Sequence, residues 1–462
     1  MPSFLSNLFG SPYKKYNFKA EPFNKDPLAW SRPLVMHHCG EFSMAAVQAN
    51  KDMEDQSQVE VGTDALFVGV YDGHKGDAAS NYLMDHIFTE LLRLIQANKN
   101  NMHENILTQV VGQMETEFIE FARNCFEQQH QVKNSSEIQR VPSSSEIQPV
   151  PSSYEIQQVS SNSEIQQVSS SSSEIQQLSS SSEIQPVLSS SEQQHEIQNS
   201  FVSSGCLICI IWRGTLFVAN VGNSRAILGS QKGIGQLKKL GIKQMVKDHS
   251  FLNPDIQQEL TGLHPDHNNR SCYQSIQVKG LIETSRCIGY AYMKNSEFTK
   301  RRSFEIPLSE VVIPPFTRPL LSSQPDVYSR DLKNSDRFII FGSGGFWKLI
   351  SNEKAARVVN TSPRDGIAET LAKLAQEEGA VNRGKKYRDL IKIPKSNCVS
   401  GNNGNQYSGF RSAYHDDITV IVVYLDQRPN REGVIPEMNS YRGYDNTVQQ
   451  SEFINFYNKA NA

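Results

Sequence analysis

The chain lacks any run of about eighteen apolar residues, so no membrane-spanning helix is expected in its 462 residues. It also lacks an excess of charge. Lys and Arg number 46 against 49 Asp and Glu, a formal net charge of -3. A field that weak offers no basic surface to nucleic acid and no preference for a membrane or for acidic partners. Cysteine is sparse. Of Cys39, Cys125, Cys206, Cys209, Cys272, Cys287 and Cys398, only Cys206 and Cys209 are close in sequence, with no second pair to complete a zinc site. They read as reduced, mostly buried thiols of an intracellular protein of cytoplasm or nucleus. The opening Met1-Pro-Ser-Phe-Leu-Ser-Asn-Leu-Phe9 is too short for the apolar part of a signal peptide, and Lys14 and Lys15 follow it rather than precede it. Pro2 stands where N-myristoylation requires glycine. No feature signals self-association, and a monomer is expected.

What the chain does hold is enough apolar residue, 38%, for one large core or two modest ones. Its most informative stretch is Phe67-Val-Gly-Val-Tyr-Asp-Gly-His-Lys-Gly76. The run Ala65–Tyr71 reads as a buried strand ended by a glycine turn. Its end presents a carboxylate, a glycine carbonyl and an imidazole, oxygen-rich donors suited to Mg²⁺ or Mn²⁺. Asp-Gly is equally a common turn dipeptide, so these three residues alone do not decide the matter. Leu83, Ile87, Leu91 and Ile95 recur every fourth residue, as do Ile106, Val110, Met114 and Phe118, which predicts two amphipathic helices. A strand pair is expected at Glu41–Val47 and Gln58–Val61.

From residue 134 to 200 the composition changes to copies of Ser-Ser-Glu-Ile-Gln, with Glu137, Glu146, Glu155, Glu164, Glu174 and Glu183 nine residues apart, once ten. Each copy holds too few apolar side chains to offset an ordering entropy of roughly 1–2 kcal/mol per residue, so a disordered insert is expected. Strands resume at Gly205–Trp212 and Thr215–Asn220, then at Asp336–Gly342 and His415–Leu425. Ser351 reads as a helix N-cap, and a further helix is expected from Ile367 to about Gln376. Residues 1–34 are expected to be irregular, 35–427 to form the domain, and 428–462 to be a flexible tail. Strand runs interleaved with helix pairs favour an α+β fold with antiparallel sheets.

In combination these segments resemble the protein phosphatase 2C family, the metal-dependent serine/threonine phosphatases, and within it a plant branch. The resemblance is carried in order by Met53-Glu-Asp55, Val70-Tyr-Asp-Gly-His74, Ser204-Gly-Cys206, Val218-Ala-Asn-Val-Gly-Asn-Ser-Arg-Ala226, Ser285-Arg-Cys-Ile-Gly289, Phe338-Ile-Ile-Phe-Gly-Ser-Gly-Gly-Phe-Trp347 and His415-Asp-Asp-Ile-Thr-Val420. It implies a central sandwich of two antiparallel β-sheets with helices on both outer faces. It implies hydrolysis of phosphoserine or phosphothreonine esters in protein substrates by a water held between two Mg²⁺ or Mn²⁺ ions. Asp72 would bridge the ions, the Gly73 carbonyl and, through water, Glu54 would serve one of them, and Asp416 the other. His74 would protonate the leaving oxygen.

Four other acidic positions of the family pattern are not intact. Gly344 stands where the resemblance implies a direct metal-ligand aspartate, and Lys348 replaces the acid after the following tryptophan. Asn223 and Tyr290 replace two further aspartates, and Lys75 a glycine. Gln48 and Lys51 occupy the neighbourhood of the family's phosphate-binding arginine. Three acids turned neutral and one turned to lysine shift the charge by about five units, close to what two divalent ions supply. The expectation is therefore a catalytically impaired member, a pseudophosphatase, with Lys348 paired to Asp72 or Asp416. The alternative is a weakly active enzyme using the remaining metal site. A third reading makes the serine-rich repeat and the aromatic tail the working parts. Asp417 is expected to belong to the strand motif and to face away from the vacant ligand position.

Overall fold

A computed structural model describes residues 26–138, 201–233, 239–263, 283–295, 298, 318–395, 410–426 and 436–460. One sheet runs in the order β1 (Ala29–His37), β2 (Gly40–Val47), β14 (Ile418–Tyr424), β13 (Asp336–Gly342), β9 (Arg225–Lys232) and β10 (Lys239–Gln244). The other runs β12 (Asp326–Asp331), β8 (Thr215–Val221), β7 (Cys206–Trp212), β4 (Ala65–Tyr71), β3 (Gln56–Val61), β15 (Asn439–Arg442) and β16 (Val448–Gln450). Every neighbouring pair in these sheets is antiparallel. A small ribbon joins β5 (Gly73–His74), β6 (Ser203–Ser204) and β11 (Ile288–Gly289).

The two-residue side-chain period of a strand explains the layering. In β4, Leu66, Val68 and Val70 enter the core shared by the two sheets, with Ile339, Phe341, Ile421 and Val423 from the opposite sheet. Ala65, Phe67 and Tyr71 face the other way, against α1 (Ala78–Ala97) and α2 (Glu104–Ile138). The predicted stripes of both helices are buried there. On the outer face of the first sheet lie α3 (Gly344–Trp347), α4 (Asn352–Thr361) and α5 (Ile367–Asn382). The fold is the expected α+β sandwich. Ser351 caps α4, accepting from Lys354 N at 3.2 Å, and α5 runs six residues beyond its expected end.

Several expectations need correction. Glu41–Val47 and Gln58–Val61 form strands, but in different sheets, so they do not pair with each other. Residues 29–34 are part of β1 rather than irregular. The strand accommodates Pro33 because β1 lies at the sheet edge and its register shifts between Arg32 and Val35. The tail is ordered over 436–460. β15 pairs with β3, and in α6 (Phe453–Ala460) the spacing of Phe453 and Phe456 puts both rings into the core beside Phe88 and Trp212. Helix α2 extends through 134–138, and the rest of the expected insert lies outside the described residues.

Candidate active site

Asp72 follows the last residue of β4, where the chain turns into the small ribbon. Its carbonyl accepts from Gly205 N at 2.8 Å. Gly73 is required sterically, because a Cβ there would meet the Glu54 carbonyl oxygen at 2.2 Å. This close approach brings Glu54 beside Asp72, as the sequence predicts. Pairing of His74 with Ser203 sets the imidazole over the same carboxylate, Nε2 lying 4.0 Å from Asp72 Oδ1. Lys75 takes a left-handed φ of +66°, the conformation that glycine adopts without strain.

Opposite Asp72, β13 ends at Gly342 and α3 begins. Gly344 N donates to Asp72 Oδ2 at 2.6 Å, so a backbone N–H meets the bridging carboxylate where the family would hold a ligand side chain. Asn223, in the tight turn between β8 and β9, lies over Gly344. A Cβ on Gly344 would lie 2.5–2.6 Å from its amide atoms. Asp416, just before β14, accepts from Asn50 Nδ2 at 3.0 Å on Oδ1 and from Lys348 Nζ at 3.2 Å on Oδ2. Lys348 also pairs with Glu283 at 2.5 Å. The expected pairing of Lys348 is with Asp416.

Asp417 faces away from the vacant position, as predicted. Its two oxygens accept from the backbone N–H groups of Ala49, Asn50 and Glu54 at 2.6, 3.1 and 2.8 Å, which holds the 48–54 loop. Gln48 braces the same loop by donating to the carbonyls of Asn50 and Lys51, while Lys51 projects into solvent near Asp52. Asp55 is buried and accepts from Thr419 Oγ1 at 2.8 Å. Tyr290, directly after β11, is fully buried at φ +50° and packs on Tyr292.

The carboxylates are not equally supplied with positive charge. Burial, then the negative charge of Asp417, Asp416 and Asp72, pushes Glu54 up to about 8. Burial also raises Asp72, with Asp416 adding to the effect and His74, Lys348 and the Gly344 N–H opposing it. Asp416 moves the other way: burial opposes ionisation, but Lys348 followed by His74 holds it below the usual carboxylate range. Sequence reasoning missed Asn50 and Glu283, the further partners of Asp416 and Lys348. Neither carries a local signal, since each contact joins residues far apart in the chain.

The two sides of the cleft differ in which donors could hold a divalent ion. Asp72, Glu54 and the Gly73 carbonyl are hard oxygen ligands short of a counter-charge, which suits Mg²⁺ or Mn²⁺. The Gly344 side has no side-chain ligand and carries an ammonium against Asp416, so it does not fit a second ion. Acidic surroundings that hold a cationic side chain are already balanced there.

A family model described as Protein phosphatase 2C matches residues 147–384, just over half of the chain. Asn223, Tyr290, Gly344 and Lys348 fall inside the matched span, Glu54, Asp72 and His74 before it and Asp416 after it. The chain is 34% identical over 435 residues to probable protein phosphatase 2C 43 of Oryza sativa subsp. japonica, across 93% of this chain and 89% of that protein. It is 33% identical over 434 residues to probable protein phosphatase 2C 68 of Arabidopsis thaliana, across 93% and 88%. Probable protein phosphatase 2C 42 of the same plant is 35% identical over 406 residues, across 87% and 83%.

Proposed function

This chain belongs to the protein phosphatase 2C family, in its plant branch, and from that premise we propose that it is a pseudophosphatase that recognises phosphoserine or phosphothreonine proteins without hydrolysing them efficiently. The observation that carries this reading is the Lys348 ammonium 3.2 Å from Asp416, beside a glycine whose N–H donates to Asp72. Two of the groups that would hold metal-bound oxygen chemistry are thereby bound to protein donors. Removing even an indirect partner of a metal costs roughly 10–100-fold in affinity or activity, and loss of a direct ligand costs at least that.

A second reading is favoured by the raised Glu54 and Asp72 carboxyls. One Mg²⁺ or Mn²⁺ on Asp72, Glu54 and the Gly73 carbonyl would acidify a water and neutralise phosphoryl oxygens. In that reading His74, held by the β5–β6 pairing and partly open to solvent, would be the group that protonates the departing serine or threonine oxygen. Lys348 would remain on Asp416 throughout.

Hydrolysis of a phosphothreonine peptide in excess Mn²⁺, with binding of the same peptide followed by fluorescence, separates the two. Binding of the phosphorylated but not the unphosphorylated peptide, with no turnover above an Asp72→Ala control, is the expected result. Turnover that disappears in Asp72→Ala would replace the pseudophosphatase with a slow one-metal enzyme. Absence of both binding and turnover would remove the recognition role as well.

A further inference from the structure

The turn between β1 and β2 gathers three soft or borderline ligands away from the acidic cleft. His37 closes the turn opposite Gly40, and His38 and Cys39 form its tip. One ligand atom from each of His37, His38 and Cys39 lies within 4.8 Å of the others. The turn is at the start of β2, whereas the 48–54 loop of the cleft leaves its far end, about 25 Å away along an eight-residue strand.

The donor chemistry is organised. His37 is fully buried, and its Nε2 lies 3.1 Å from the Tyr424 carbonyl, an acceptor, so Nε2 carries the proton. The Nδ1 lone pair therefore accepts from Cys39 N at 3.4 Å, a bond that an ion would displace, and lies 3.7 Å from Cys39 Sγ. A tetrahedral zinc with typical Zn–S and Zn–N bonds separates these two ligand atoms by about 3.6 Å. A ring N–H given to a backbone carbonyl is also how metal-ligating histidines are commonly oriented. His38 Nδ1 is buried with no hydrogen-bond partner among the described residues. The remaining coordination position opens on a cleft of about 450 Å³ lined by His38, Cys39, Asp64, Arg213 and Asp426, among others. Asp426 is engaged by Arg364, and Asp64 by Arg213 and Tyr457, so neither acid is needed as a ligand.

We propose that His37, His38 and Cys39 form a Zn²⁺ site, with water as the fourth ligand, at the tip of the β1–β2 turn. Thiolate and imidazole together suit zinc rather than the hard ions of the cleft. Binding converts the Cys39 thiol to thiolate: the S–H bond breaks, the Zn–S bond forms, and the proton leaves to solvent. Zinc uptake should therefore release about one proton and strengthen with rising pH.

The test titrates Zn²⁺, and Co²⁺ as a spectroscopic substitute, into the full chain and its variants. One equivalent of Zn²⁺ should bind in Asp72→Ala as in the native chain, with loss of at least tenfold in affinity in Cys39→Ala and in His38→Ala. Co²⁺ should give a thiolate charge-transfer band that is absent from Cys39→Ala. Excess Zn²⁺ should protect Cys39 of the native chain from alkylation mapped by mass spectrometry, a readout that requires no variant to fold. Unchanged alkylation of Cys39, binding that survives Cys39→Ala, or zinc uptake abolished by Asp72→Ala would each overturn the proposal.

Discussion

The two sides of the acidic cleft have met the same problem differently. On the Asp416 side, Asn50 and Lys348 hold the two oxygens and the carboxyl stays below its ordinary pKa. On the Asp72 side a backbone N–H, a more distant His74 and the remote charge of Lys348 do not offset burial, and Glu54 and Asp72 are pushed upward. Buried carboxylates without cations either protonate or acquire a charged partner. One side has acquired its partner in the covalent chain. The other still has the chemistry of a place for a bound ion.

The largest effect is expected where compensation is complete. Arg411 and Asp26, both fully buried, pair at 2.8 Å through both guanidinium nitrogens just upstream of His415 and Asp416. Arg411→Met should cost about 3–5 kcal/mol in urea unfolding at neutral pH, because it leaves a buried carboxylate without its cation, held only by Gln376 and the Leu28 N–H. Burial opposes ionisation of Asp26, and the Arg411 hydrogen bonds and charge overcome it, leaving the pKa below 3.8. This stabilisation is present above the unfolded value and is lost as pH falls through the lower folded one. The cost of Arg411→Met should accordingly shrink toward pH 3. A constant cost would mean that packing, not charge, dominates there.

Lys348→Glu undoes the compensation on the Asp416 side itself. It sets like charges beside Asp416 and Glu283, and a loss of roughly 1–3 kcal/mol is expected in EDTA, less than for a fully buried pair because the side chain is 39% exposed. Thermal unfolding with and without Mn²⁺ measures it. An unchanged Tm in EDTA would show that Lys348 does not balance the cleft.

The uncompensated side makes the opposite prediction, in pH. Burial and the neighbouring carboxylates hold Glu54 up at about 8 in the folded state against an ordinary 4.5, so the folded state retains a proton that the unfolded chain releases. Its contribution is fully present below the unfolded value and is lost as pH rises through the folded one. Stability in EDTA should thus decline between about pH 4.5 and 8, on the order of 2 kcal/mol, and Glu54→Gln should flatten the decline. Mn²⁺ should flatten it too if a single ion binds Asp72 and Glu54. A native profile that is already flat would place a cation partner near Glu54 that the structure does not hold.

The layout of the fold was legible where periodicity or turn chemistry is local. The strand Ala65–Tyr71 and the stripe through Leu83 to Ile95 are found as expected, because burial on one face leaves a two- or near-four-residue rhythm in the residues themselves. A pairing of Lys348 with Asp72 or Asp416 was legible through charge balance, and the structure makes it Asp416. The order of 436–460 was not. Few apolar residues occur there, and Phe453 and Phe456 are buried in a surface made by α1 and β7, far away in sequence. Asn50, Glu283 and the position of Asn223 over Gly344 were hidden for the same reason.

Asn223 supplies the smallest and sharpest of these tests. Restoring the ligand by Gly344→Asp alone puts a Cβ 2.5 Å from the Asn223 amide, but that amide is the end of a side chain and can swing aside. A destabilisation of about 1 kcal/mol is therefore expected, at the mild end of overpacking. Pairing it with Asn223→Gly should relieve the cost by opening the space. Neither variant should gain Mn²⁺ affinity while Lys348 remains, since the ammonium still neutralises Asp416. Adding Lys348→Glu to the pair should let calorimetry detect a second Mn²⁺ equivalent. If Gly344→Asp by itself brings in that ion, the missing ligand and not the lysine separates the two sides of the cleft.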